Sequence, residues 1–123
     1  MHQTATTLGL DFARALAAKE YGRLTELLHP ELDFRGVTPR KSWEASDPAG
    51  FVADVVQQWF GDADIEGIEH LDTAAFADRE RVVYRFRAHK PDGVYVVEQT
   101  AYLGERDGRI GFIRIACSGY RPV

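Results

Sequence analysis

From about residue 65 to residue 120 the chain alternates apolar and polar residues through four long runs, about 65–76, 80–89, 94–104 and 109–120. Alternation sustained over such lengths marks strands with one buried and one solvated face. Asp78-Arg79, Pro91-Asp92-Gly93 and Arg106-Asp107-Gly108 supply turn residues between the runs, so they fold as successive antiparallel hairpins.

The first half has helical spacing instead. Thr6 or Thr7 can cap a helix to about Lys19, with Leu8, Phe12, Ala15 and Leu16 on one face. A second helix, about Tyr21 to Leu28, presents Leu24, Leu27 and Leu28 and is stopped by His29-Pro30. Leu32 to Arg35 alternates as a short strand ending at Gly36, followed by a loop with Pro39, Arg40 and Lys41 that carries Trp43-Glu44. The third helix is capped by Asp47, has Pro48 at its first position and closes at Gly61. Its stripe of Phe51, Val52, Val55, Val56, Trp59 and Phe60 must cover a large apolar surface. Helices first and strands after predict an α+β fold: three N-terminal helices packed on a curved, mostly antiparallel sheet.

At 123 residues, with no linker or repeat, residues 1–123 form one domain. A net charge of −4 provides no basic face, which disfavours nucleic acid and anionic membranes as partners. Cys117 is the one cysteine, so neither an intramolecular disulfide nor a thiolate metal cluster can form. No apolar run approaches a membrane span, and Met1-His2-Gln3-Thr4 lacks the segments of a signal peptide. The expected location is the cytoplasm.

The segments Val97-Glu98-Gln99-Thr100-Ala101-Tyr102, Asp107-Gly108-Arg109-Ile110 and Cys117-Ser118-Gly119-Tyr120-Arg121-Pro122, in this element order, resemble the nuclear transport factor 2-like, or SnoaL-like, superfamily. The resemblance covers nearly the whole chain and implies an α+β cone with a deep pocket between curved sheet and helices. It also implies a homodimer through the outer sheet face. The superfamily holds isomerases, dehydratases, epoxide hydrolases, cyclases and non-catalytic modules, so it says little about chemistry. Its ketosteroid isomerases use a tyrosine, a carboxylate base and a protonated aspartate at places matching Phe12, Gly36 and Thr100, and none of these has the required group.

Hairpin register decides which side chains line such a pocket. With Pro91-Asp92-Gly93 as a three-residue loop, Lys90 pairs with Val94, and one face holds Val82, Tyr84, Phe86, Ala88, Val94, Val96, Glu98, Thr100 and Tyr102. A two-residue Asp107-Gly108 turn adds Ile113, Ile115 and Cys117. The rival register, with a four-residue loop, sets Arg85 across from Glu98 and turns the carboxylate outward. The three-residue loop is favoured. An inward Glu98 on an apolar wall is a candidate general acid or base, because desolvation raises a carboxyl pKa toward neutrality. Tyr84 and Tyr102 would orient a substrate oxygen. Phe12, Arg35, Trp43, Trp59, Phe86, Thr100, Ile115 and Cys117 would line the chamber, with Arg35 at the mouth able to neutralise Glu98. No histidine has metal-site spacing, and the face of His70 is undecided. The expected function is a cofactor-independent lyase, isomerase or cyclase acting on an apolar small molecule. The alternative is a non-catalytic binder of hydrophobic small molecules or a dimerisation module of the same fold.

Overall fold

The computed structural model describes residues 7–123. Helix α1 spans Leu8–Ala18. Thr7 caps it by accepting the Leu10 N–H, and Lys19 ends it in the left-handed conformation. Helix α2 is Tyr21–Leu27, and the chain becomes extended at Leu28, just ahead of Pro30. Helix α3 occupies residues 48–60. It opens on Pro48 with Asp47 accepting the Gly50 N–H at 2.7 Å. Over Phe51–Val56 the helix widens to i→i+5 bonding, seen where the Gln57 N–H reaches the Val52 carbonyl. Gly61 keeps helical angles and is required for another reason: a Cβ there would collide with the Gln57 carbonyl oxygen.

Seven strands follow the period-two pattern and extend it: β1 Leu28–Thr38, β2 Lys41–Ala45, β3 Asp64–Phe76, β4 Arg79–Lys90, β5 Gly93–Arg106, β6 Arg109–Cys117 and β7 Arg121–Pro122. The sheet order is β2-β1-β6-β5-β4-β3, with β7 on β5. Pairing is antiparallel except between β1 and β6. Two expectations need correction. β1 starts at Leu28 rather than Leu32, and Trp43-Glu44 lies in strand β2, not in a loop, because Pro39-Arg40 makes a tight turn with Arg40 at φ 72°.

The β4–β5 register is the third correction. Lys90 pairs with Gly93, not Val94, and Arg85 stands opposite Glu98. Every β5 side chain is thereby reversed from the favoured expectation: Val97, Gln99, Ala101 and Leu103 point inward, while Val96, Glu98, Thr100 and Tyr102 point outward. The physical preference is plain. The observed register buries a neutral amide, whereas the alternative would bury a carboxylate, which costs far more without a partner.

The three helices cover the concave face, and aromatic rings fill the space between. Phe12, Phe51, Tyr84 and Phe86 are 0% exposed, and Phe34 and Phe60 are 1% exposed. Phe34 meets Phe51 edge-on at 4.7 Å, and Tyr84 stacks on Phe86 at 5.1 Å. No helix among the described residues is long and apolar enough to cross a membrane.

Candidate functional site

Among the described residues, Gln99 is the one buried residue that is neither apolar nor aromatic. It sits centrally on β5, opposite Tyr84 on β4 and Cys117 on β6. The Tyr84 hydroxyl donates to Gln99 Oε1 at 2.6 Å. Burial pushes the Tyr84 pKa well above the ordinary phenol value, so this hydroxyl stays protonated and acts as a donor. Gln99 Nε2 and the Trp59 indole Nε1 have no hydrogen-bond partner and are sealed from solvent. Turning the Gln99 amide over would move the deficit from nitrogen to oxygen without removing it. Each such unpaired donor destabilises the fold by about 1–3 kcal/mol, so Gln99 with its Tyr84 partner is the chemically marked point of an otherwise apolar cone.

The expected site residues separate into two groups. Tyr84, Phe12, Phe86, Trp59 and Ile115 are buried within the cone, and Cys117 lies at its margin, partly exposed, with Sγ accepting the Gly119 N–H. Trp43 is half-buried on the same side, edge-on to Trp59 at 5.9 Å, with its indole N–H donated to Thr38 Oγ1 at 2.8 Å. Glu98, Thr100, Tyr102 and Arg35 lie on the opposite, outer face. The Glu98 carboxylate accepts from Arg85 Nε at 3.1 Å, and its side chain is 43% exposed. Arg85, not Arg35, is its partner, and the desolvation that would have made Glu98 an acid or base is missing.

Among the described residues, no histidine belongs to the aromatic core, although the His29 side chain is largely buried. His70 is exposed opposite Arg85, His29 bonds Asp107 at 3.1 Å, and His89 bonds Glu66 at 2.6 Å. His2 lies outside the described residues. No cluster of potential metal ligands occurs among the described residues.

Two residues escape the sequence reading. The favoured register, with Glu98 inward, turns its neighbour Gln99 outward. Glu80 is the other: it shares the parity of Val82, Tyr84 and Phe86, and extending that alternation by one step would have found it. Its carboxylate accepts the Gly9 N–H of α1 at 3.0 Å, tying the first helix to β4 with the negative group at the helix N-terminus, where it is favoured. Closure at the cone's other end comes from Tyr120, whose hydroxyl donates to the Trp59 carbonyl at 2.6 Å and is held protonated by burial.

The outer face is a built surface. Across the ladder, Ala74, Arg81, Tyr102, Arg114, Arg35 and Glu44 stand in one row over six strands. Beside this row the Phe112 ring is covered by Arg79 and by Arg114 at 4.1 and 4.2 Å, and Phe76 packs edge-on against Tyr102 at 5.5 Å. Arg114 also grips Asp33 with both nitrogens at 3.2 Å, and this bonding lowers the Asp33 pKa. Two shallow concavities of about 420 and 310 Å³ share Tyr102 and Arg114.

Solved structures give the architecture its context. A candidate isomerase from Rhodopseudomonas palustris superposes with a TM-score of 0.76 at 15% identity, over 94% of this chain and 93% of that one. A candidate polyketide cyclase from Pseudomonas putida follows at 0.72 and 14%, covering 92% and 90%. The chain has the nuclear transport factor 2-like, or SnoaL-like, fold. An LEH-like epoxide hydrolase from M. tuberculosis is similar at 0.64 and 14%, covering 88% of this chain and 77% of that one. This SnoaL-like fold is thus of the type found among small-molecule isomerase- and cyclase-like proteins, and identities this low carry the fold alone. No family profile matches the chain, and no curated protein matches it.

Proposed function

We propose that this chain is a non-catalytic, self-associating module of the SnoaL-like fold, two copies meeting back to back through the outer faces of their sheets. One contrast supports the reading. The cone is filled by its own aromatic side chains, while the outer face presents Phe76 and Val37 at 58% and 51% exposure beside Tyr102 and Phe112. Exposed aromatic and arginine side chains are the types enriched where protein interfaces gain their energy.

Size and charge agree. Six strands about 4.8 Å apart make a face roughly 24 Å wide, enough for the ~800 Å² that each partner buries in a standard interface. The face carries both signs, with Arg35 and Arg81 in no ion pair among the described residues, as a surface that must complement itself requires.

Sedimentation equilibrium tests the reading. At about 100 µM, far above the roughly micromolar Kd of an ~8 kcal/mol interface, the protein is expected at twice its 13.8 kDa mass. Tyr102→Asp is expected at the monomer mass with its fold intact by circular dichroism. A monomeric wild type, or a dimer indifferent to Tyr102→Asp, would refute it.

A further inference from the structure

Successive rows of side chains cross the outer face of the sheet, one row for every second residue of a strand. The row through Tyr102 and Arg114 is a ridge, with a concavity of about 420 Å³ on one side of it and one of about 310 Å³ on the other. The neighbouring row is Ser42, Val37, Ala116, Thr100, Val83 and Asp72, on β2, β1, β6, β5, β4 and β3 in turn. Its side chains are short, and those of β2, β1, β6 and β5 line the larger concavity. A ridge and a trough therefore run side by side across six strands, roughly 7 Å apart. Each carries a charge with no counter-charge. Arg81 in the ridge and Asp72 in the trough form no ion pair among the described residues.

Taking self-association through this face as given, we infer that the two-fold axis runs along the rows, midway between ridge and trough. The ridge of each copy then lies in the trough of the other, and Arg81 of each meets Asp72 of its partner. A half-turn about such an axis sets every strand antiparallel over its own counterpart and exchanges the two rows. Tyr102 comes to lie on the partner's Thr100, Arg114 on the partner's Ala116 and Arg35 on the partner's Val37. Large meets small at each point, which suits sheets packed about 10 Å apart. Arg81 comes to lie on the partner's Val83, whose cross-strand neighbour is Asp72, so the two unpaired charges meet twice by symmetry. Other axes lose this match. An axis along the ridge itself sets Tyr102, Arg81 and Arg35 each on its own counterpart and leaves the troughs unfilled. An axis parallel to the strands, between β5 and β6, sets Arg81 on the partner's Arg35. Both oppose like charges, which complementary interfaces avoid.

Arg81→Glu and Asp72→Lys test this by reversing the pair from opposite sides. Each variant alone opposes like charges at both symmetry-related contacts, and its dimer should dissociate with a Kd at least about tenfold above that of the wild type in sedimentation equilibrium. In an equimolar mixture the introduced charges are opposite at both contacts, so a dimer with one copy of each variant should form with the wild-type Kd. Recovery on mixing cannot arise from a contact within one chain, and it shows that both variants fold. Arg81→Asp and Asp72→Arg supply the same test where circular dichroism finds either of the first two unfolded. A wild-type dimer that neither substitution weakens overturns the inference and leaves self-association standing. Weakened variants that do not recover when mixed do the same. A monomeric wild type overturns both.

Discussion

Arg85 and Glu98 face each other on the outside of the β4–β5 hairpin at 3.1 Å, with side chains 42% and 43% exposed. An ion pair so open to water contributes roughly 0–1 kcal/mol, so Glu98→Gln should lower the unfolding free energy measured in urea by no more than that. A loss of several kcal/mol would mean a buried carboxylate. Gly9 and Gly22 are a sharper pair, both glycines in helices. A Cβ on Gly9 would lie 2.5 Å from Glu80 Oε2, whereas one on Gly22 would meet nothing within 4 Å. Gly9→Ala should therefore push the Glu80 carboxylate off the Gly9 N–H and destabilise by about 1 kcal/mol or more through the lost hydrogen bond, and Gly22→Ala should stabilise by up to ~1 kcal/mol through helix propensity. Thermal unfolding of the two variants distinguishes them by sign. Asp33 offers a pH test. Its pKa is lowered first by the hydrogen bond from Arg114, so its stabilising effect is present above the unfolded aspartate value and fades as pH falls through the lower folded value. In Arg114→Gln, carbon-detected NMR should find the Asp33 carboxyl titrating at higher pH than in the wild type; an unchanged titration would contradict the assignment.

At the scale of elements, capping and turn chemistry were legible because they act through a few adjacent residues. Thr7, Asp47 and Pro48 mark their helix starts as expected, and Asp107-Gly108, at φ 53° and 79°, forms the expected two-residue turn; the register shift at Gly104/Glu105, which the turn does not announce, is what brings Ile113 and Ile115 opposite Leu103 and Ala101 on the inner face. The β4–β5 turn was misread by one residue. Lys90-Pro91-Asp92-Gly93 carries the pattern of a four-residue turn, with proline second and glycine fourth, and Gly93 pairs with Lys90 at φ 152°. Both readings use the same residues, so local chemistry could not separate them. The separating effect is global: Val97, Ala101 and Leu103 must cover the core, and Glu98 must not. The widened stretch of α3 had no local signature either, since Phe51, Val52, Val55 and Val56 read as an ordinary helical stripe. β2 was hidden because its pairing with β1 is a tertiary fact that Trp43-Glu44 does not announce.

The whole molecule is an α+β cone sealed by its own rings, with its polar anomaly inside and exposed aromatic and arginine side chains on its outer face. The sequence lists Phe12, Trp59, Tyr84 and Phe86 correctly as residues of the interior, yet a list of lining residues does not say whether space remains between them. Volume is a property of the packed set, and here seven large rings consume it. If two such cones associate through the Tyr102 face, unfolding is coupled to dissociation, and the melting temperature should rise with protein concentration. Tyr102→Asp should remove that dependence, and a melting temperature independent of concentration in the wild type would contradict association.

Which way β5 faces decides all of this, and nuclear Overhauser contacts read it directly. The account predicts contacts from the Gln99 side-chain amide protons to the Tyr84 ring, and from the Glu98 side chain to Arg85. Contacts from Glu98 to the Tyr84 ring, with the Gln99 amide exchanging freely with water, would contradict it.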